Sequence, residues 1–356
     1  MRSQISNLKS QISFTLPLEM TAKEPPECRG ISRDQVRLLI IDRQTGEITH
    51  SRFDHVGEFL RPGDLLVFNT SRTLPASLTG FELHSEQRVE ARLAGHLPDD
   101  TWLALLLCIE GETFSCGLSS GMEIHFGNGL TGSVYERDEH IPRLWKIRFS
   151  QSGAEFVDSI YRLGRPIRYE YVSAPWDLDY YQTVYAREPG SAEMPSAGRA
   201  FTWRLLFDLK RQGVETAHVV LHTGLSSYLD NELDAQHPAS EEEYFVSESA
   251  AKNINRAHEQ DRRGIAVGTT AVRALESVAD DKGKVRSEHG YTRLRITVDH
   301  KLKAVDGLLT GLHEPEASHL DLLTAFLSAE KVQEAYEGAL RRGYLWHEFG
   351  DINLIL

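Results

Sequence analysis

Apolar and polar positions along this chain follow two rhythms, and the chain switches between them twice. Val36 to Asp42 is an apolar run of strand length, Arg43 to Gly46 is a turn, and Glu47 to Phe53 alternates well enough to be the returning hairpin strand. Gly57 to Leu60 reads as a short turn or helix, and Pro62, Gly63 and Asp64 turn into a strand at Leu65 to Phe68. From Leu78 to about Arg148 the pattern becomes V-E-A-R-L-A, T-W-L-A-L-L-L, M-E-I-H-F, L-T-G-S-V-Y and L-W-K-I-R-F, separated by Gly and Asp turns with no helical period. Short strands at this spacing predict a small antiparallel barrel or sandwich, inserted because the second half returns to a different grammar.

That grammar is α/β. Phe201, Leu205, Leu206 and Leu209 share one helical face, with Thr202 as N-cap and Gly213 at the stop. Thr216 to Leu221 is a continuous apolar run typical of a buried strand. Ser247 caps a helix with Ala250, Ala251, Ile254 and Ala257 inward and Gly264 as its stop; Ile265 to Val267 is the next strand, and Gly268, Thr269 and Thr270 open a helix carrying Val272, Leu275 and Val278. Leu294 to Val298 and Lys303 to Leu309 read as strands, Ser318 and about Lys331 open two helices, and Ile352 to Leu356 is a last strand. Ligands of open α/β sheets bind outside the carboxyl ends of the strands, which directs attention to His222 to Gly224 and Gly268 to Thr270.

Between the two grammars lies a stretch that fits neither, Tyr181 to Thr202. Arg187 and Glu188 stand side by side, and Pro189, Gly190, Ser191, Pro195, Ser196, Ala197 and Gly198 form a run that no helix or central strand tolerates. A small-residue loop of this length feeding a helix N-terminus offers free backbone N–H groups to a carboxylate or phosphate. Arg72, in the polar switch Asn69 to Pro75, is a second anion candidate, set against an ordinary surface arginine. His222 is either a proton-transfer group or a satisfied histidine at a strand end; Arg273 either holds an anion or pairs with Glu276.

Composition narrows the function. A net charge of -13 over 356 residues argues against nonspecific DNA coating but leaves room for a local basic site. The densest basic stretch, Lys282 to Lys303, is either a phosphate-backbone footprint or a solvated face. Cys28, Cys108 and Cys116 make no C-x-x-C pair and fit reduced thiols in a cytoplasmic protein. No apolar run approaches the ~20 residues a membrane span needs, and Met1 to Ser13 reads as a loose extension rather than a signal peptide. There is no G-x-x-x-x-G-K-[ST], no G-x-G-x-x-G after a strand, no H-E-x-x-H and no G-x-S-x-G, so ATP hydrolysis, dinucleotide redox chemistry, zinc proteolysis and serine hydrolysis lose weight. The histidines show no ligand spacing on one element, and no metal site is expected.

The motifs in order resemble one family. They are R-D-x-V-R-L-L at Arg33–Leu39, R-P-G-D-L-L-V-x-N at Arg61–Asn69 followed by Arg72, and Y-Q-T-V-Y-A at Tyr181–Ala186. P-x-A-G at Pro195–Gly198, F-T at Phe201–Thr202, L-H-x-G-L at Leu221–Leu225, A-V-G-T-T-x-V-R-x-L-E at Ala266–Glu276 and G-D at Gly350–Asp351 complete the set. Together they are similar to the S-adenosylmethionine:tRNA ribosyltransferase-isomerases of queuosine biosynthesis. The resemblance implies an α/β domain with a mixed sheet and an inserted small antiparallel β-barrel domain. Applied here, it gives a flexible extension at 1–14, a discontinuous catalytic domain at 15–76 and 150–356, and the barrel domain at 77–149.

It also implies the reaction. The ribosyl unit of S-adenosylmethionine moves onto 7-aminomethyl-7-deazaguanine in tRNA and isomerises to epoxyqueuosine, releasing adenine and methionine, with no cofactor beyond that cosubstrate. The residues that carry over are His222 and His313 for proton transfer. Arg72, Tyr185, Arg187, Glu188, Ser191, Ser196, Ala197, Gly198, Phe201, Thr202, Gly224, Gly268, Thr269, Thr270 and Arg273 carry over for binding. The chain departs from the pattern where Arg199 replaces an apolar residue, Ala200 and Ser240 replace histidines, and Thr70 replaces an acid. Two further readings therefore stay beside the first: the same cosubstrate used on another nucleoside or small molecule, and a ligand-binding protein without turnover.

Overall fold

Residues 12–109, 118–169, 171–234, 240–315 and 317–356 are described by a computed structural model. Strands β1 (Arg37–Ile41) and β2 (Ile48–Arg52) form the expected antiparallel hairpin. β3 (Leu65–Asn69) is buried along its whole length, and β4 (Ser71–Thr73) follows one residue later. Six strands then close into an antiparallel barrel in the order β10-β7-β6-β5-β8-β9. They are β5 (Ser77–Glu82), β6 (Arg88–His96), β7 (Trp102–Cys108), β8 (Glu123–Gly127), β9 (Leu130–Arg137) and β10 (Leu144–Phe149). Alternate residues such as Val89, Ala91 and Leu93 fill the inside. Full pairing leaves this small unit no open edge.

The chain leaves the barrel through helix α1 (Gly153–Leu163), passes the short strand β11 (Glu188–Ser191) beside β4, and enters α2 (Trp203–Arg211) and β12 (Glu215–Leu221). The rest comprises α3 (Asn231–Asp234), β13 (Glu242–Val246), α4 (Glu248–Glu259), β14 (Gly264–Val267), α5 (Thr269–Val278), β15 (Glu288–Thr292), β16 (Gly307–Gly311), α6 (Ser318–Thr324), α7 (Ala329–Arg341) and β17 (Ile352–Ile355). Nine of these strands form one mixed sheet, ordered β15-β13-β12-β3-β14-β16-β17-β1-β2. β12, β3, β14 and β16 run parallel to one another, so their carboxyl ends share one edge.

Period two divides the core between the faces of this sheet. Leu39, Ile41, Leu65, Val67 and Ala266 face α4, α5 and α7, while Leu38, Ile40, Leu66, Phe68 and Val267 face α2 and the 3-10 turn Phe53–Glu58. The expected caps form: Thr202 accepts the Leu205 N–H, and Ser247 accepts the Ala250 N–H. Three expectations need correction, and one element was not expected. Ile12 is already packed in the core and Phe14 rests its ring on Tyr336, so the loose extension does not run to residue 14; residues 1–11 lie outside the described residues. Leu294 to Val298 is irregular, and the strand of that region is β15, whose E-H-G-Y-T carries no strong alternation and is held by pairing with β13. α1 had no expected counterpart, although Phe156, Val157, Ile160 and Tyr161 recur at helical spacing and Phe156 and Ile160 are buried. Cys108 is disulfide-bonded rather than reduced, while Cys28 is an exposed thiol.

Candidate active site

The carboxyl edge of the parallel strands is built around Asn69, the last residue of β3. Its amide is 1% exposed, donates to Leu221 O at 2.8 Å and to Thr270 Oγ1 at 3.0 Å, and accepts from the Leu221 and Ser71 N–H groups at 3.0 and 3.1 Å. One side chain thus locks the ends of β3 and β12 to the first turn of α5.

From this hub the Tyr181–Thr202 stretch crosses the edge. It is not wholly irregular: Arg187 and Glu188 donate backbone N–H groups to Thr70 O, and β11 pairs in parallel with β4. That pairing places Ser191 Oγ 2.5 Å from Ser71 Oγ, which is 2.7 Å from His222 Nδ1; the Thr223 N–H caps the chain by donating to Ser191 Oγ at 3.0 Å. Gly190 is required here, because a Cβ would overlap the His222 ring. Burial lowers the His222 pKa to about 4. The ring is therefore neutral at physiological pH, with one nitrogen that donates and one that accepts. It lines a cavity of about 260 Å³ between the sheet edge and the barrel, walled also by Trp102, Phe156, Gln151 and Glu243.

On the other side of Asn69, Gly268 has φ +96 and opens α5 without a side-chain cap. Ala197 packs beside it, so that a Cβ on Gly268 would lie 3.5 Å from that of Ala197. The P-S-A-G segment thereby faces the start of α5, where Thr269 is buried and Thr270 half-buried. Gly198 sits directly over the Tyr185 hydroxyl, leaving no room for a side chain.

Ser196 lines a crevice with Arg199, Ala200, Gly311, His347 and Glu348, at the carboxyl end of β16 and the start of β17. Arg199, despite its charge, is 3% exposed. It bonds Glu27 Oε2 at 2.8 Å and Tyr180 O at 2.8 Å, and its guanidinium carbon lies 5.1 Å from the Phe349 ring centre.

Several expected site residues have other employment. Tyr185 and Phe201 are core aromatics packed on Phe68, at 4.6 and 5.0 Å between ring centres. They pack behind the loop. The Thr202 hydroxyl caps α2 and donates to Asp34 at 3.0 Å. Arg273 ion-pairs with Glu242, not with Glu276, and also donates to Leu294 O at 2.9 Å. Glu276 instead takes the Lys303 and Ala304 N–H groups and His300. His313 pairs with Thr310 Oγ1 at 2.9 Å and stacks on His319, and burial drives its pKa well below the ordinary value. Gly224 donates its N–H to Glu242 at 3.2 Å. Arg187 and Glu188 are exposed on the loop rim. Arg72 lies over the Tyr161 ring at 6.0 Å with its Nε buried and without a hydrogen-bond partner. In the basic stretch, Arg286, Arg293, Arg295 and Lys303 each pair with a carboxylate.

A second group of titratable side chains at the same edge escaped sequence reading. Glu193, on the crossing loop, accepts from the Ser226 N–H at 2.6 Å and from the Tyr169 hydroxyl. Tyr169 stacks on Tyr171, Tyr171 stacks on His347 at 4.1 Å and donates to Glu348 at 2.7 Å, and His347 bonds Glu314 at 3.1 Å. Burial pushes Glu193 up to about 8, with Glu348 and Glu242 adding to the rise against the Ser226 hydrogen bonds, and burial raises Glu348 and Glu314 as well. The one legible signal was that Glu193 is the only carboxylate between Ser191 and Thr202. Among the described residues no His, Cys, Asp and Glu group is arranged to hold a metal ion, and no helix is long and apolar enough to cross a membrane.

Comparison with known proteins gives consistent matches. The family model described as queuosine biosynthesis protein matches residues 9–355. An S-adenosylmethionine:tRNA ribosyltransferase-isomerase of Carboxydothermus hydrogenoformans is 40% identical over 347 residues, covering 96% of this chain and 98% of the relative. One of Caldanaerobacter subterraneus subsp. tengcongensis is 37% identical over 352 residues, covering 98% and 99%. The crystal structure of an S-adenosylmethionine tRNA ribosyltransferase from Thermotoga maritima aligns with a TM-score of 0.54 at 29% identity, over 97% of this chain and 99% of that one.

Proposed function

The chain belongs to the queuosine biosynthesis protein family, and we propose that it performs the reaction for which its relatives are named: transfer and isomerisation of the ribosyl unit of S-adenosylmethionine onto a 7-aminomethyl-7-deazaguanine in tRNA. The product is epoxyqueuosine, and adenine and methionine leave. The observation that carries this reading is the meeting of the Pro195–Gly198 segment, the α5 start and the His222 chain at one carboxyl edge, locked together by Asn69.

The methionine carboxylate lies against the N–H groups of Thr269 and Thr270, where the helix dipole and the close approach permitted by Gly268 favour an anion. Ser196, Ala197 and Gly198 cover it from the loop. His222 serves the leaving groups as the proton-transfer imidazole, with its proton exchange routed through Ser71 and Ser191. His313 holds the β16 turn in place instead. Arg187, Glu188 and Gly224 form the rim over which the acceptor enters, and the unsatisfied Arg72 Nε awaits an acceptor oxygen from it. The positive sulfur acidifies the neighbouring C–H, so the site needs no cofactor beyond the cosubstrate, and the reaction belongs to the cytoplasm, where tRNA is modified.

The paired state of Arg286, Arg293, Arg295 and Lys303 favours, as second reading, an acceptor other than tRNA on the same cosubstrate. Mass-resolved incubation with S-adenosylmethionine and tRNA bearing the aminomethyl-deazaguanine separates the two. Adenine and methionine release with the matching mass gain on the base supports the first. Cosubstrate binding by calorimetry with no mass gain supports the second.

A further inference from the structure

Helix α2 has an outward face that neither the core nor the edge site employs. Leu205 and Leu209 are buried against the sheet. On the opposite side Lys210, Trp203, Phe207, Arg211 and Arg204 follow one another around about a third of the helix circumference. Trp203 is 53% exposed and Phe207 59%, and their rings stack at 6.2 Å between centres with planes 29° apart. Single exposed apolar residues are common on protein surfaces, but a stacked aromatic pair rimmed by charge marks an interaction surface.

The rim is cationic. α2 carries three basic residues and one acid, Asp208, in a chain of net charge -13. Lys210 is exposed and makes no ion pair among the described residues. Arg211 is exposed and meets Asp208 on its own helix, a kind of surface pair that yields readily to a stronger anion. Arg204 is exposed along most of its length, with one nitrogen 3.3 Å from the buried Asp34. The face also starts where the crossing loop ends. Thr202 caps α2 four residues after Gly198, and the helix runs from the carboxyl edge to the amino edge, where the Gly213 carbonyl accepts the Gly63 N–H at 2.8 Å. Trp203 therefore stands at the site's border, and Lys210 and Arg211 lie about 10–12 Å farther along the axis.

An enzyme that works on a nucleobase must take it out of the stack, so the bases beside it are also unpaired and are strung on phosphates. Rings for bases and cations for phosphates are what such a strand requires. A second copy of this chain fits less well, because a two-fold interface sets the same patch against itself and brings like cations together. We propose, resting on the tRNA reading above, that the exposed face of α2 is the docking surface for the unpaired strand of the acceptor RNA. Trp203 and Phe207 stack on bases next to the one being modified, and Lys210 and Arg211 hold the phosphates that follow.

The test titrates the full chain with tRNA bearing the aminomethyl-deazaguanine over a salt series, and measures S-adenosylmethionine affinity by calorimetry and mass by sedimentation on the same proteins. Trp203→Ala and Phe207→Ala are each expected to weaken tRNA binding by about 10-fold, with Trp203→Phe keeping most of the affinity. The double variant Lys210→Ala/Arg211→Ala should flatten the slope of log K against log salt by about 1–2. All of them should bind S-adenosylmethionine as the wild type does. A fully paired RNA of equal length should respond to the cation variants and not to the aromatic ones. If the wild type turns over tRNA while both aromatic variants bind it within about twofold of wild type, the docking surface is wrong and the reaction stands. A loss of S-adenosylmethionine affinity in step with tRNA affinity makes the rings merely structural and also overturns it. So does a wild-type dimer that Trp203→Ala dissociates, which gives the face to a second copy. A wild type that binds S-adenosylmethionine but no tRNA overturns tRNA as the acceptor, and the surface with it.

Discussion

The ion pair between Arg199 and Glu27 supports an asymmetric prediction. The two are 172 residues apart. Its side chain is 3% exposed while that of Glu27 is 29% exposed. Glu27→Ala therefore strands a buried guanidinium with the Tyr180 carbonyl and the Phe349 ring face as remaining partners. Breaking a buried pair from this side costs ~3–5 kcal/mol. Arg33, which also bonds Glu27 at 3.0 Å, is 19% exposed and adds little beyond a fraction of a kcal/mol. Arg199→Leu removes the charge itself and leaves Glu27 with Arg33 and water. It fills much of the same volume with apolar atoms and costs only ~1 kcal/mol. The double variant stands near Arg199→Leu, giving a coupling of ~3–5 kcal/mol.

The assay is urea unfolding followed by tryptophan fluorescence at pH 7, repeated down the acid range. Burial works to raise the Glu27 pKa, but the charge and hydrogen bond of Arg199, with lesser help from Arg33, hold it net below 4.5. The contribution is thus complete above about 4.5, and is lost as pH falls through the lower folded-state value. The gap between wild type and Glu27→Ala must narrow there. A Glu27→Ala cost below ~1 kcal/mol, or one smaller than that of Arg199→Leu, refutes the reasoning.

Three further outcomes follow from the site. Gly198→Ala drives a Cβ into the Tyr185 hydroxyl and should lose ~1–3 kcal/mol on denaturation, with Tyr185→Phe in the same chain restoring part. Asn69→Ala removes four hydrogen bonds at a buried point and should cost ~2–4 kcal/mol while lowering S-adenosylmethionine affinity in calorimetry. For Glu193, burial raises the folded pKa from the ordinary 4.5 to about 8, so the stability it contributes is full below 4.5 and is lost as pH rises through 8. Glu193→Gln should therefore melt higher than wild type at pH 9 and no higher at pH 5, by differential scanning fluorimetry.

The features legible in the sequence are those in which a residue's neighbours in the chain are also its neighbours in space. Thr202 and Ser247 were legible as caps because an N-cap acts within one helical turn. The barrel was legible because V-E-A-R-L-A and its like alternate with the pleat. The P-S-A-G segment was legible as special because its small residues mark a close approach, and the structure supplies the surfaces approached: the Tyr185 hydroxyl under Gly198 and the α5 start beside Ala197. Arg187, Thr202 and Arg273 share the surrounding motifs, yet they are exposed, a cap and an ion-pair partner respectively.

The sequence by itself determined the family, the alternation that builds sheet and barrel, and the loop that crosses the carboxyl edge, since each is written in local order and spacing. Only the tertiary structure decided which polar groups meet there. Ser71, Ser191 and His222 are joined by parallel pairing of β4 with β11, and Arg199 finds Glu27 across 172 residues. Glu193, Tyr169, Tyr171, His347 and Glu348 come from three separated segments. Burial, hydrogen bonding and charge proximity fix what each does, and all three are properties of the packed chain.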